Sequence, residues 1–154
     1  MRFFLFLFVS GFLLFLACKP PQKKAKNAIT QGVKGVVVEL KGNQMPRIGA
    51  PPAEPSPYPT TLFFYEPTNV SRTQQWNPGP LFTNIYTKLI MTANTDSTGA
   101  FTVQLPVGSY SVFVQVGQQF YANSFDIQNN INVITIEKGK LAELNIVVNN
   151  EASN

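Results

Sequence analysis

The chain has 154 residues, with 12 Lys and Arg, 8 Asp and Glu, one cysteine and no histidine, and its length predicts one domain. A single cysteine excludes an intrachain disulfide, and a catalytic thiol would lack its usual histidine base. Five of the twelve basic residues lie between Arg2 and Lys26, which leaves seven against eight acidic residues from position 27 onward. The folded part is therefore near neutral, which argues against nucleic-acid binding.

The first predicted element is an apolar segment at the N-terminus. Residues 3–16 are almost wholly apolar and follow the lone positive charge of Arg2. This segment of about 14 residues is shorter than the roughly 20 that a membrane-spanning helix needs. The pattern predicts a signal peptide over residues 1–17 in preference to a retained transmembrane helix.

The cysteine follows this segment directly. The run from Leu14 to Cys18 resembles a bacterial lipobox, with Phe15 where that motif usually has leucine. The resemblance implies cleavage before Cys18, acylation of Cys18 and anchoring in the membrane by several acyl chains. Lys19 stands where an aspartate would signal inner-membrane retention, so the expected location is the bacterial outer membrane, facing the periplasm or the surface. The alternative is a secreted protein cleaved near Ala17.

A basic linker comes next, over residues 18–30. It combines two prolines with four lysines and shows no apolar periodicity. Such a composition predicts a solvated tether between the lipid surface and the domain.

Residues 31–150 have an all-β pattern of short runs rich in Val, Ile, Phe, Tyr and Thr, separated by turn residues. In the clearest run, Val112 and Val114 are predicted to point into the core, and Ser111 to face solvent. The spacing predicts a β-sandwich of seven to eight strands. The predicted strands are 33–40, 61–66, 86–94, 101–105, 110–116, 119–125, 132–137 and 141–148.

Two segments, 35–46 and 95–125, resemble a carboxypeptidase regulatory-like domain, which is transthyretin-like. The matching positions are Asp96, Gly99 and Phe101 around one turn, and Gly108 and Tyr110 after the next. The resemblance implies a seven-stranded Greek-key sandwich over most of 31–150, followed by a short tail at 151–154. These are turn and core positions, so they carry information on fold and almost none on activity.

An insertion at about 47–84 departs from that family. Its residues 49–59 include five prolines, which predicts a stiff extended surface loop or a preformed partner-docking segment. The candidate partner-binding residues in the insertion are Tyr58, Trp76 and Phe82. Trp76 has a second interpretation, which we prefer from the sequence: a plug over one end of the core.

Two modification motifs occur in the chain. Asn69, Val70 and Ser71 form an N-glycosylation sequon, which is discounted because a bacterial lipoprotein would normally lack that machinery. The triplet that begins at Asp96 resembles a short bacterial O-glycosylation motif, with Ser97 as the candidate acceptor. Asp, Ser and Thr are also the residues that a tight turn selects, and this turn interpretation is the favoured one.

The residue inventory favours binding over catalysis. The carboxylates occur singly along the chain, and nitrogen and sulfur ligands for a metal are lacking, so we expect no cofactor and no metal. The sequence predicts a non-catalytic envelope lipoprotein that binds a protein or glycan. The alternatives are a structural spacer, with polar loops at both ends, and an unrecognised hydrolase-type enzyme with converging carboxylates of perturbed pKa.

Overall fold

The structure is a computed structural model that describes residues 29–43, 49, 54–149 and 152–153. The predicted signal peptide, Cys18 and most of the linker lie outside these residues, as do parts of the proline-rich segment and of the C-terminal tail. Among the described residues, no helix combines the length and the apolar character needed to cross a membrane.

The described part of the chain is an all-β sandwich of two main sheets, as the sequence predicts. A single 3-10 turn at Val70–Arg72 interrupts the strand order within it. The strands are β1 (Gly32–Glu39), β2 (Gly42–Asn43), β3 (Ser56–Pro57), β4 (Thr61–Tyr65), β5 (Thr73–Gln75), β6 (Leu81–Ile85), β7 (Leu89–Asn94), β8 (Ala100–Gln104), β9 (Gly108–Val116), β10 (Gln119–Tyr121), β11 (Val133–Ile136), β12 (Leu141–Glu143), β13 (Ile146–Val148) and β14 (Ala152–Ser153).

The small sheet is centred on β1. Strands β12 and β13 pair with it in parallel along one side, and β8 and β3 pair antiparallel along the other. The predicted strand 141–148 is broken because the Leu144 carbonyl crosses over Gly35, where a Cβ would lie 1.8 Å from the Leu144 oxygen. Asn145 Oδ1 then accepts the Val36 backbone N–H at 3.2 Å, so β12 and β13 keep one register along β1.

The large sheet has the order β5-β6-β10-β9-β4-β7, with β11 also pairing with β9, and all its pairs are antiparallel. The predicted insertion contributes more strands than the sequence indicated, because β4 matches the predicted strand 61–66 whereas β5 and β6 were not predicted. Two predicted strands are too long: the one at 86–94 begins at Leu89, and the one at 119–125 ends at Tyr121.

The main core lies between the two sheets. The predicted inward positions Val112 and Val114 are confirmed, since both are fully buried. Beside them, the Tyr110 hydroxyl donates to the Pro106 carbonyl at 3.0 Å, a contact that fixes the turn before β9 as tyrosine corners do in other sandwiches. The members of the main core are Val33, Val37, Leu62, Phe64, Phe101, Val103, Leu105, Tyr110, Val112, Val114, Tyr121, Ile134, Ile136, Ile146 and Val148.

A second apolar cluster, the outer core, covers the opposite face of the large sheet. Its buried members are Tyr65, Phe82, Phe113, Ala122 and Ile131. The Phe113 ring meets the rings of Tyr65 and Phe82 edge to face, each at 5.7 Å between centroids. Aromatic pairs favour this arrangement, and each such pair contributes about 0.5 to 1.5 kcal/mol beyond its buried area.

Two loops, 66–72 and 122–132, close over the outer core. They are joined by backbone hydrogen bonds, among them Ile131 N–H to the Thr68 carbonyl at 2.8 Å. Ser111, predicted to face solvent, is fully buried beneath them, and its Oγ accepts the Thr68 N–H at 2.8 Å. The prediction for Ser111 is wrong because alternation along a strand says which face a residue is on, and not whether loops cover that face.

Candidate binding surface

The β5–β6 hairpin forms one edge of the large sheet. Gln74 pairs with Asn84 and Gln75 with Phe82, so Thr83 is an extra residue in β6. Its Oγ1 donates to the Gln74 carbonyl at 3.2 Å, which ties this bulge to the neighbouring strand. A bulge of this kind re-aims the side chains on either side of it.

Two hydrogen bonds close the turn between β5 and β6. The Trp76 N–H donates to the Leu81 carbonyl at 3.0 Å, and Gln75 Nε2 donates to the Gly79 carbonyl at 2.9 Å. The prolines at 78 and 80 fix backbone φ within this turn. Trp76 is therefore held at the end of a paired strand, on backbone that the sheet positions.

The strand register assigns four side chains to one face of the hairpin. Phe82 points into the outer core, whereas Leu81, its neighbour, packs against the main core. Trp76 lies opposite Leu81, and Gln74 is two residues before it on the same strand, so both are on the face opposite Phe82. The surface formed by Gln74, Trp76, Asn84 and Tyr86 is called the hairpin face.

Trp76 is exposed, with 61% of its surface accessible. The interpretation of this residue as a plug over the core is therefore wrong. In the orientation that lets both the oxygen and the nitrogen of the Asn77 amide form hydrogen bonds, the oxygen accepts the indole Nε1–H of Trp76 at 3.3 Å. The nitrogen then donates to the Trp76 carbonyl at 3.0 Å. The ring is thus tethered to its own turn while its faces stay accessible.

The other two predicted contact residues are placed differently. Phe82 is fully buried in the outer core, so its side chain is not available to a partner. Tyr58 follows β3, where its N–H donates to the Val37 carbonyl at 3.0 Å, and it packs partly buried against the main core. The structure therefore does not gather Tyr58, Trp76 and Phe82 into one surface.

Sequence analysis missed Tyr86, which is 58% exposed. The periodicity assigned it to a strand that in fact begins three residues later. Its N–H donates to the Arg72 carbonyl at 2.9 Å, and the Arg72 guanidinium donates to the Tyr86 carbonyl at 3.4 Å. These two hydrogen bonds with Arg72 place Tyr86 beside the hairpin, and the sequence pattern does not predict them.

The amides of the hairpin face are held by hydrogen bonds with each other and with Tyr86. Gln74 Oε1 accepts from Asn84 Nδ2 at 2.8 Å and from the Tyr86 hydroxyl at 3.3 Å. With these groups paired, Gln74 Nε2 still offers donors and Asn84 Oδ1 an acceptor. The face therefore presents two aromatic rings and two oriented amides to solvent.

Two aspartates, Asp96 and Asp126, have lowered pKa values, and both shifts are explained by local hydrogen bonds. The Thr98 hydroxyl, with the Thr98 and Ala100 N–H groups, holds the pKa of Asp96 below its ordinary value, and Asn130 does the same for Asp126. Both aspartates close turns of their own loops, and among the described residues no three His, Cys, Asp or Glu side chains gather as a metal site would require. The candidate acceptor Ser97 is exposed on the Asp96 turn, and its modification stays a prediction.

A shallow cleft of about 330 Å³ lies on the outer side of β1. The ion pair of Lys34 and Glu143, at 2.9 Å, lines it together with Thr102 and Asn145. The Lys34 side chain is about half exposed and that of Glu143 largely exposed, and Asn145 Oδ1 already accepts the Val36 N–H of β1. The charged groups and the Asn145 oxygen in the cleft are thus already paired, and among the described residues that line it there is no exposed aromatic ring like those of the hairpin face.

Two facing sheets define this protein as a β-sandwich. Comparison with protein-family models, with curated proteins and with solved structures gave no match. The chemistry of the hairpin face is therefore the basis for assigning a function.

Proposed function

We propose that this protein is a non-catalytic lipoprotein of the bacterial envelope, whose β-sandwich binds an envelope protein or glycan through the hairpin face. One observation carries the proposal: Trp76 and Tyr86 are both more than half exposed on one face of a hairpin that is hydrogen-bonded into the sheet. Tryptophan, tyrosine and arginine are the residues most enriched where partners bind. A purely structural spacer has no need to expose two large aromatic rings.

The proposed anchor is the acylated Cys18, with residues 18–30 as the tether. This arrangement holds the sandwich away from the lipid surface and leaves the hairpin free to reach a partner. We also propose that the sandwich is a transthyretin-like, Greek-key domain of the carboxypeptidase regulatory-like kind. The Asp96 turn, where Gly99 has a φ of +77°, and the contact between Tyr110 and Pro106 support that proposal.

The anchor is tested by Cys18→Ser. We expect the wild-type protein to enter the detergent phase in phase partitioning, and the variant either to leave it or to remain unprocessed with its signal peptide, in both cases with its fold intact. Mass spectrometry of the mature N-terminus supplies an independent measurement. A wild-type protein that stays in the aqueous phase with an unmodified N-terminus would disprove the anchor.

Binding is tested with the purified full-chain protein immobilised in mild detergent and exposed to solubilised envelope extract from the same bacterium. We expect Trp76→Ala combined with Tyr86→Ala to abolish retention of the partner while the melting temperature stays nearly constant, because exposed aromatics contribute little to stability. Val107→Ala is the control, since Val107 is 58% exposed on a different turn. Equal retention by all three proteins would refute a binding role for the hairpin face.

A further inference from the structure

Two aromatic rings mark the ends of the hairpin face, with two amides between them. Trp76 lies nearest the turn, Gln74 and Asn84 form the next pair, and Tyr86 follows beyond the end of β6. The Tyr86 ring leans toward Gln74, since its hydroxyl reaches Gln74 Oε1 at 3.3 Å. Residues two apart on a strand are about 6.7 Å apart, so the backbones of Trp76 and Tyr86 are separated by roughly 13 Å along the strands. This separation corresponds to the length of a short oligosaccharide.

A sugar ring has C–H groups on its faces and hydroxyls around its edge. The faces stack on aromatic rings, and each hydroxyl can both donate and accept a hydrogen bond. Trp76 and Tyr86 supply accessible ring faces, Gln74 Nε2 supplies donors and Asn84 Oδ1 supplies an acceptor. The bond from Asn84 Nδ2 to Gln74 Oε1 at 2.8 Å orients both amides before any ligand arrives, which lowers the entropic cost of binding.

Charge distinguishes between classes of ligand. Residues 73–86 include no Asp, Glu, Lys or Arg. The guanidinium of Arg72, just before this stretch, donates to the Tyr86 carbonyl. The hairpin itself offers a charged ligand no opposite charge, and its Tyr86 end adjoins one cation, the Arg72 guanidinium, whereas a neutral ligand needs no counter-charge.

Shape distinguishes a glycan from a protein. A stable protein interface buries about 800 Å² on each partner around a contiguous, largely apolar centre. On the hairpin face, polar amides occupy the middle and the rings are at the two ends, so there is no apolar centre. Alternating rings and amides suit a chain of sugar units, which itself alternates C–H faces and hydroxyls.

We infer that the hairpin face binds a short stretch of a neutral glycan, with Trp76 and Tyr86 stacking on sugar faces and Gln74 and Asn84 hydrogen-bonding to hydroxyls. This inference rests on the proposed function, because it names the class of partner for the same surface. The ligand is identified by its chemistry: uncharged, rich in hydroxyls and extended over several units.

The direct test is titration calorimetry of the full-chain protein, in a detergent without a sugar headgroup, with neutral oligosaccharides of glucose, mannose, galactose or N-acetylglucosamine. We expect at least one of these to bind, and oligomers of galacturonic acid to bind more weakly because they are charged. Trp76→Ala is expected to weaken binding about tenfold or more, since it removes a stacking ring. Trp76→Phe should restore part of the loss, and Val107→Ala should change nothing.

A second variant isolates the amides. Asn84→Asp keeps the side-chain shape, removes the donor to Gln74 and places a charge on a neutral face. We expect it to weaken oligosaccharide binding about tenfold without lowering the melting temperature. Neutral oligosaccharide binding that survives both Trp76→Ala and Asn84→Asp would overturn the inference.

Envelope extract separates failure of this inference from failure of the proposed function. Retention lost after periodate oxidation of sugars, and kept after protease treatment, supports a glycan even if no oligosaccharide of the panel binds. Retention that resists periodate but is lost with protease shows a protein partner, which overturns the glycan inference and leaves the binding function in place. Retention that Trp76→Ala combined with Tyr86→Ala does not reduce overturns both.

Discussion

The two faces of the large sheet are both buried at its centre, but by different means. On the inner face, Leu62, Phe64 and Val112 pack against a second sheet. On the outer face, Tyr65 and Phe113 are covered by loops 66–72 and 122–132, which hydrogen bonds tie to each other and to β9. The comparison shows that one layer of strands can support two cores when connecting segments are long enough to fold back over it.

The difference lies in what holds each cover in place. A facing sheet is fixed by ladders of backbone hydrogen bonds along whole strands, whereas a loop depends on a few specific contacts. In the outer cover, which is loops 66–72 and 122–132, these contacts include the Thr68 N–H to Ser111 Oγ bond and the turn closed by Asp126. Segments with few such contacts open locally at lower free-energy cost, so the outer cover should be the less stable of the two.

The largest effect is expected from Val112→Asp. This substitution buries an unpaired carboxylate between the sheets and should unfold the domain, whose total stability is about 5 to 15 kcal/mol. Circular dichroism and thermal melting measure the loss. Gln104→Asp, at an exposed position of β8, should fold normally, and similar damage from both would argue against an inner core at Val112.

Phe82→Ala tests whether the outer core holds the fold. Removing a fully buried phenylalanine should cost about 3 to 5 kcal/mol, measured by urea denaturation. Trp76→Ala, on the opposite face of the same hairpin, should change the free energy of unfolding by no more than about 0.5 kcal/mol. A reversed order of the two variants would mean that the faces of the hairpin are assigned the wrong way round.

Ser111→Ala is expected to have an intermediate effect. It removes the acceptor of the buried Thr68 N–H, and an unsatisfied buried donor costs about 1 to 3 kcal/mol. The exposed Ser97→Ala is the matched control and should be neutral. If the two serine variants melt at the same temperature, the outer cover does not depend on this contact.

The smallest expected effect is a loss of stability of the loop around Asp126 at low pH. Asn130 lowers the pKa of Asp126 below its ordinary 3.8, so the stabilisation by this carboxylate is fully present above 3.8 and is lost as pH falls through the folded value. Hydrogen exchange of residues 126–131 should therefore speed up in strong acid more than that of the main core. Asp126→Asn should flatten this pH dependence, and an unchanged profile would show that the carboxylate does not secure the loop.

Much of the strand arrangement was accessible to prediction. The alternation around Val112 and Val114 identified the inner face, and the Asp96 turn was recognised because its aspartate, threonine and glycine have local roles that the sequence displays. The short, polar β5 was missed because Thr73, Gln74 and Gln75 carry no apolar alternation. They form a strand only through pairing with β6.

The sequence by itself determined the all-β character of the domain, its inward-facing valines and the near-neutral charge of the folded part, because these depend on residue type and local spacing. Tertiary structure decided that Phe82 is buried, that Trp76 is exposed and that Tyr86 joins it on one face. The physical reason is that each of these outcomes depends on which segments lie next to one another. Strand register and loop closure set that proximity, and they join segments that are far apart in the sequence, so the pattern within one segment does not decide which neighbours it meets.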